Sequence, residues 1–158
     1  MQHPLHKIVT KLLIQRLKPL LPDLIHPFQS SFIAGRKASD NVILTQDIIH
    51  SMTVSKSKKG LMALKIDLEK AFDRLKWNFI HHVLKWFNFP NDWIELIMSY
   101  LTTSNLSVMI NGERLDPFLP SRDIRQGNPL SLYIFILCME YLAELINTEI
   151  SLGNWSSI

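Results

Sequence analysis

The chain has 158 residues, of which 47% are apolar and 20% are charged. This composition is typical of one globular domain and excludes extended disorder and fibrous repeats. The single cysteine, Cys138, excludes an internal disulfide and a cysteine-based zinc site. The longest apolar run extends from Leu132 to Met139, whereas a membrane-spanning helix needs about 20 apolar residues, so we expect no membrane partner.

The formal net charge of +3 is distributed unevenly along the chain. Residues 1–60 contain nine Lys or Arg and three Asp or Glu, whereas residues 61–158 contain eight and eleven. This division fits a protein whose basic first third binds a polyanion and whose acidic remainder binds cations. A solvated surface of uneven charge explains the same numbers, and charge alone favours that simpler interpretation.

The spacing of apolar residues predicts helices in the first third of the chain. One runs from Leu5 to Leu17, and a second runs to about Met52 with Ser39 as a possible N-cap. Residues 61–68 form a short apolar run that follows Gly60 and ends at a charged stretch. The length of the run and these boundaries predict a buried strand.

Helical spacing returns over residues 73–88 and again over residues 91–101. The pair Asn111-Gly112 between short apolar segments predicts a β-hairpin. Pro129 opens a long apolar helix that continues to about residue 147, and residues 151–158 form a tail expected to be loose. This order predicts an α+β fold.

Asp67 closes the predicted strand and is a candidate metal ligand, because a carboxylate beside a buried strand needs a cation or a partner. A helix N-cap or a salt bridge to Lys70 explains it equally simply, and without context that explanation is favoured. Taken alone, Phe72 is better explained as a core residue and Asp73 as a first-turn helix carboxylate. In the polar loop at 122–129, free amides before a helix suit phosphate or base contacts, and a plain connection explains them as well.

Three segments in order change these interpretations. They are QSSFIAGR at 29–36 with SDN at 39–41, ALKIDLEKAFDR at 63–74, and RQGNPLS at 125–131. Together they resemble the reverse transcriptase domain of LINE-type (non-LTR) retrotransposons of the sort abundant in plant genomes. The resemblance extends from about Leu5 to Ile150.

The resemblance implies a partial right-hand polymerase fold, with fingers in residues 1–60 and the first part of the palm in residues 61–150. An incomplete antiparallel palm sheet packed by helices is therefore expected. It also implies an RNA template, a DNA primer and deoxynucleoside triphosphates as partners, and Mg²⁺ as the cofactor of two-metal nucleotidyl transfer. An intracellular and possible nuclear location is compatible with it.

The family's site residues carry over position by position. Asp67 matches the first metal-binding catalytic aspartate, and Phe72 matches the bulky gate that excludes a ribose 2′-hydroxyl. Nucleotide-binding positions match at Arg36, Leu68, Phe72, Gln126 and Gly127, and nucleic-acid contacts are expected at Lys37 and Arg125.

The resemblance also shows departures. The family's third catalytic segment, a hairpin of the Phe/Tyr-Ala-Asp-Asp type, does not occur before Ile158, so two of three expected catalytic aspartates are absent. Asn128 stands where Asp is usual, Leu132 where Pro is usual, and Asp123 where Gly is common. Because glycine supplies unusual backbone angles, which Asp tolerates better than most residues, we expect such an angle at position 123.

We therefore expect a truncated fragment that is inactive alone, with a relic that binds RNA or primer–template as the alternative. Because residues 61–68 would lack neighbouring strands, we also expect self-association through that edge.

Overall fold

The computed structural model describes residues 4–56, 60–103, 107–124 and 128–155. Within these ranges the chain is mainly helical, with one two-stranded antiparallel sheet. The elements are α1 (Pro4–Leu17), a 3-10 turn (Lys18–Leu20), α2 (Leu21–Leu24), α3 (Ala38–Val54), α4 (Ala71–Arg74), α5 (Trp77–Trp86), α6 (Asn91–Thr102), β1 (Met109–Ile110), β2 (Glu113–Arg114) and α7 (Pro129–Ser151).

Helix α7 lies at the centre of the fold, where it contacts α1 and α5. Its Ile134 and Leu137 are almost fully buried, as are Leu17 of α1 and Ile80 of α5. Helix α6 completes the core by packing on α5. Burial of these apolar faces provides most of the stabilisation that helices of this length need in water.

The predicted hairpin is confirmed. Met109 pairs with Arg114 and Ile110 pairs with Glu113. Asn111 and Gly112 both have positive φ, at +52° and +87°, as a tight two-residue turn between twisted strands requires.

The predicted buried strand at residues 61–68 is wrong. The segment forms no strand, and every one of its side chains is exposed, including Met62 at 82% and Leu64 at 70%. A strand is stabilised by hydrogen bonds to neighbouring strands, and no described residue pairs with this segment. The sheet in the described residues is limited to the β1–β2 hairpin, and the assignment of residues 61–150 to a palm stays a prediction.

Two helix boundaries also differ from the prediction. The helix expected over residues 73–88 is divided into α4 and α5, because the backbone is extended at Leu75 and Lys76. Helix α3 begins at Ala38 with Lys37 as its N-cap, two residues earlier than an N-cap at Ser39 predicts, and the Ser39 hydroxyl donates to the Asp40 carboxylate instead of capping the helix.

Helix α7 is long and apolar enough to cross a membrane by length and composition. The same properties belong to the central helix of a globular core. Leu130, Ile136 and Cys138 of α7 are buried against the other helices, which supports the core interpretation.

Candidate functional site

The second of the segments that carry the resemblance ends beside residues 122–124, which directly precede the third segment. The amide of Ile124 donates to the carbonyl of Phe72 at 3.2 Å, and the amide of Asp123 donates to the carbonyl of Leu75 at 3.1 Å. An antiparallel bridge between Lys76 and Arg122 continues this contact. The backbone that follows Asp67 is therefore fixed beside the loop that leads into α7.

The indole of Trp77 also stabilises this contact between residues 72–76 and residues 122–124. Its Nε1 donates to the carbonyl of Asp123 at 2.9 Å. Asp123 has a φ of +97°, in the left-handed region that favours glycine. The expectation that this position needs an unusual backbone angle is confirmed.

The aromatic ring of Phe72 is half-buried and stacks on the ring of Phe135 in α7. The ring centroids lie 4.6 Å apart and the planes are inclined by 21°. This contact orients Phe72 through the core. Its role as a gate for the sugar stays a prediction.

Asn128 is the N-cap residue of α7 and is only 5% exposed. Its Oδ1 accepts a hydrogen bond from the Leu130 amide at 3.1 Å, which is an N-cap interaction, while its Nδ2 donates to the hydroxyl of Tyr100 in α6. An aspartate here could still cap α7 but could not donate to Tyr100. Asn128, which stands where the family usually has Asp, thus makes a hydrogen bond to Tyr100 that an aspartate could not donate.

Asp67 lies in the exposed segment between Gly60 and α4. Nearby, Glu69 forms an exposed ion pair with Arg74, with 2.9 Å between Oε2 and the guanidinium. The described residues contain no group of three or more His, Cys, Asp or Glu side chains placed to hold a metal. Mg²⁺ prefers about six oxygen ligands, so the donors gathered at Asp67 do not fit a two-metal centre.

The guanidinium of Arg36 is held by backbone carbonyls of residues 22–29. Its Nη1 donates to the carbonyls of His26 and Gln29, both at 2.7 Å, and its Nη2 donates to those of Ile25 at 2.8 Å and Pro22 at 3.3 Å. A triphosphate would compete with these carbonyls for the guanidinium. The contact to nucleotide predicted for Arg36 remains a prediction.

Leu68 and Lys37 are exposed, so both are accessible to a ligand. The predicted positions Arg125, Gln126 and Gly127 lie outside the described residues. They fall between Ile124 and Asn128, whose positions are described.

Sequence reasoning did not identify Glu140. This carboxylate is only 4% exposed, and its Oε1 accepts a hydrogen bond from the His26 amide at 3.0 Å. Glu140 interrupts the apolar face of α7, and that was the one available signal. The same loop is held again where Asn41 Nδ2 donates to the carbonyl of Phe28 at 2.9 Å.

The family described as reverse transcriptase (RNA-dependent DNA polymerase) matches residues 2–155. The chain belongs to the reverse transcriptase family. Enzymes of this family generally use divalent metal ions and act with an RNA template, a primer and deoxynucleoside triphosphates.

Similar proteins come from retrotransposable elements. The chain is 33% identical over 146 residues to the "Transposon TX1 uncharacterized 149 kDa protein" of Xenopus laevis, covering 92% of this chain and 11% of that protein. It is 25% identical over 149 residues to the "Retrovirus-related Pol polyprotein from type-2 retrotransposable element R2DM" of Drosophila melanogaster, covering 90% and 14%. A similar Pol polyprotein of element R2 from Popillia japonica is 24% identical over 91 residues, or 58% of this chain and 15% of that protein. The domain therefore resembles reverse transcriptases of non-LTR retrotransposons, and it spans between a tenth and a sixth of each relative.

Proposed function

We propose that this chain is the fingers and the first part of the palm of a non-LTR, plant-type reverse transcriptase. In this proposal it supplies one part of a nucleotidyl-transfer site. Residues 1–60 contact template and triphosphate, and residues 61–150 contribute palm structure. The observation that supports the proposal is the antiparallel contact of residues 72–77 with residues 121–124, because it joins the end of the segment at 63–74 to the residues that directly precede the segment at 125–131.

Each site residue has a role in this proposal. Asp67 supplies a carboxylate for metal binding when further carboxylates join it. Leu68 and Phe72 line the nucleotide site, and Gln126 and Gly127 pack on the template and the incoming nucleotide. The stacking of Phe72 on Phe135 supports its proposed role, because this contact orients the ring without a bound nucleotide.

We further propose that the 158 residues are inactive in nucleotidyl transfer by themselves. One carboxylate cannot provide the oxygens that two hard cations require. The test is primer extension on an RNA template with Mg²⁺ and all four deoxynucleoside triphosphates, using the chain and its Asp67→Ala variant. We expect no extension by either protein. Incorporation by the chain that is lost in Asp67→Ala would contradict this proposal.

A second candidate function is binding of RNA or primer–template without catalysis. The exposed basic side chains of the first third favour it, among them Lys11, Arg16, Lys18, Lys37 and Lys56. Binding through phosphates releases counterions, so affinity must fall steeply as salt rises. A titration of labelled RNA at several salt concentrations tests this function. Affinity independent of salt, or no binding at low salt, would argue against it.

A further inference from the structure

A pocket of about 340 Å³ lies between the loop at residues 26–29 and helix α7. His26, Phe28 and Gln29 form its loop side, and Met139 and Glu140 belong to its helix side. The volume is at the lower end of the range of small-molecule sites, which is about 300–1,000 Å³. His26, Phe28 and Gln29 belong to the proposed fingers, but no pocket residue is among the individual positions assigned above to nucleotide or metal binding.

The loop side of this pocket is fixed by other side chains. Arg36 binds the carbonyls of His26 and Gln29, and Asn41 binds the carbonyl of Phe28. The pocket therefore lies against a backbone whose polar groups are already satisfied. A ligand can enter without first ordering this loop, which lowers the entropic cost of binding.

The decisive group is the carboxylate of Glu140. One oxygen, Oε1, accepts from the His26 amide at 3.0 Å. The other oxygen has no hydrogen-bond donor among the described residues; Glu140 as a whole is only 4% exposed, and this oxygen opens onto the pocket that the residue lines. A carboxylate that is largely removed from water and has one free oxygen favours a cationic donor.

The remaining lining residues select the shape and chemistry of that donor. The side-chain amides of Gln29 and Asn147 make no hydrogen bonds among the described residues and can each accept one. Phe28 and Met139 add apolar surface, and an aromatic face attracts a nearby cation. A primary ammonium has three N–H donors, which equals the number of unfilled acceptors on these three side chains.

We propose that this pocket, with Glu140 as its anchor, is a binding site for a small molecule that carries a primary ammonium on a short apolar stem. The pocket is lined by none of the individual positions proposed to touch nucleotide or metal, but Arg36, which is one of those positions, fixes its loop side. Its free carboxylate oxygen excludes anions and discriminates against neutral alcohols, which offer one weaker donor.

The test uses the ¹⁵N-labelled chain, titrated with n-butylammonium chloride at pH 7 and, as matched probes, with 1-butanol and sodium chloride. The backbone amide of His26 is the reporter because it donates to Glu140. We expect saturable shifts with n-butylammonium and affinity at least about tenfold weaker for 1-butanol. Equal responses to the amine and the alcohol, or no saturable response to the amine, would overturn the proposal.

Two variants make the test specific. In Glu140→Gln the amide oxygen can still accept from His26, but an NH₂ group replaces the free oxygen, so amine affinity should fall at least about tenfold. Ala143→Leu adds bulk to the pocket wall and leaves the carboxylate in place, and it should abolish binding while the chain stays folded. Unchanged amine binding in a folded Ala143→Leu protein contradicts the site even if Glu140→Gln does not fold.

Discussion

The ring of Phe72 stacks on the ring of Phe135, with 4.6 Å between their centroids. Phe72 follows the segment that carries Asp67, and Phe135 lies in the second turn of α7. A residue identified by resemblance as a gate is therefore also part of the contact between the segment at 63–74 and helix α7. Substitutions at Phe72 will change stability as well as any nucleotide selectivity.

Replacement of Phe72 by alanine should lower the free energy of unfolding by about 2 kcal/mol, because it removes a stacked and half-buried ring. Phe72→Leu keeps apolar volume without the stacking geometry and should lose less. Urea unfolding followed by circular dichroism measures both. If Phe72→Ala is as stable as the unmodified chain, the contact with Phe135 does not contribute as described.

Replacement of Arg36 by alanine should destabilise the chain by about 2 kcal/mol, since four backbone carbonyls lose a charged donor. Arg36→Lys should recover only part of this loss, because one ammonium cannot reproduce the planar fork. Lys37→Ala is the matched control, as Lys37 is its exposed neighbour. Equal unfolding midpoints for the alanine variants at 36 and 37 would refute the structural role of Arg36.

The free energy of unfolding of Asp123→Gly should exceed that of Asp123→Ala by about 1 kcal/mol, because a φ of +97° strains any residue with a Cβ. Asp123→Gly and Asp123→Ala both remove the carboxylate, so their difference isolates the backbone term. The same pair of substitutions at Asp116 provides a reference, because Asp116 is exposed and its φ is not positive. Thermal unfolding of the four proteins measures the comparison, and alanine equal to glycine at 123 would count against this backbone conformation.

Burial raises the pKa of the Cys138 thiol from 9.0 to about 12. Between these two pH values the Cys138 thiol is therefore protonated in the folded protein and deprotonated in the unfolded protein. This contribution to stability is complete below pH 9 and is lost as the pH rises from about 9 to about 12. Cys138→Ser lacks a titrating thiol and should show a smaller decrease in unfolding free energy over that range.

The same burial predicts slow reaction of Cys138 with a thiol reagent at pH 8, and fast reaction after unfolding in urea. The side chain is 2% exposed, so access and the raised pKa act in the same direction. Equal rates with and without urea would show that the elements packed against α7 do not cover this residue.

We predict self-association through the exposed apolar residues of the segment at 61–68. Met62, Leu64 and Ile66 are 82%, 70% and 61% exposed. Surface of this kind promotes association. Sedimentation velocity should show mass rising with concentration, and Leu64→Lys combined with Ile66→Lys should reduce it more than Lys65→Ala does. A monodisperse monomer with cooperative melting would disprove this prediction.

Local patterns predicted much of the fold. The helical periodicity gave α1, α3, α6 and α7 within a few residues, and Asn111-Gly112 gave the hairpin, because these features depend on neighbours in the chain. The segment at 61–68 was predicted wrongly because an apolar run becomes a strand only when other strands pair with it.

The site was predictable to a different degree. The order of motifs identified the family, and the unusual backbone of Asp123 followed from a glycine that is common at that position. The hydrogen bonds of Arg36 and of Glu140 join residues far apart in sequence, and no local pattern contains them. Irregular loops leave backbone carbonyls unpaired, so an arginine at the end of such a loop serves structure as readily as it serves a phosphate.

The bridge between Lys76 and Arg122 joins the two ends of an excursion that contains α5, α6 and the hairpin. The hairpin tip is exposed and makes its turn without help from the core. Extra residues inserted after Gly112 would therefore extend outward and leave the spacing between Phe72 and Ile124 unchanged. That tip offers a place for an affinity tag or a fluorescent reporter.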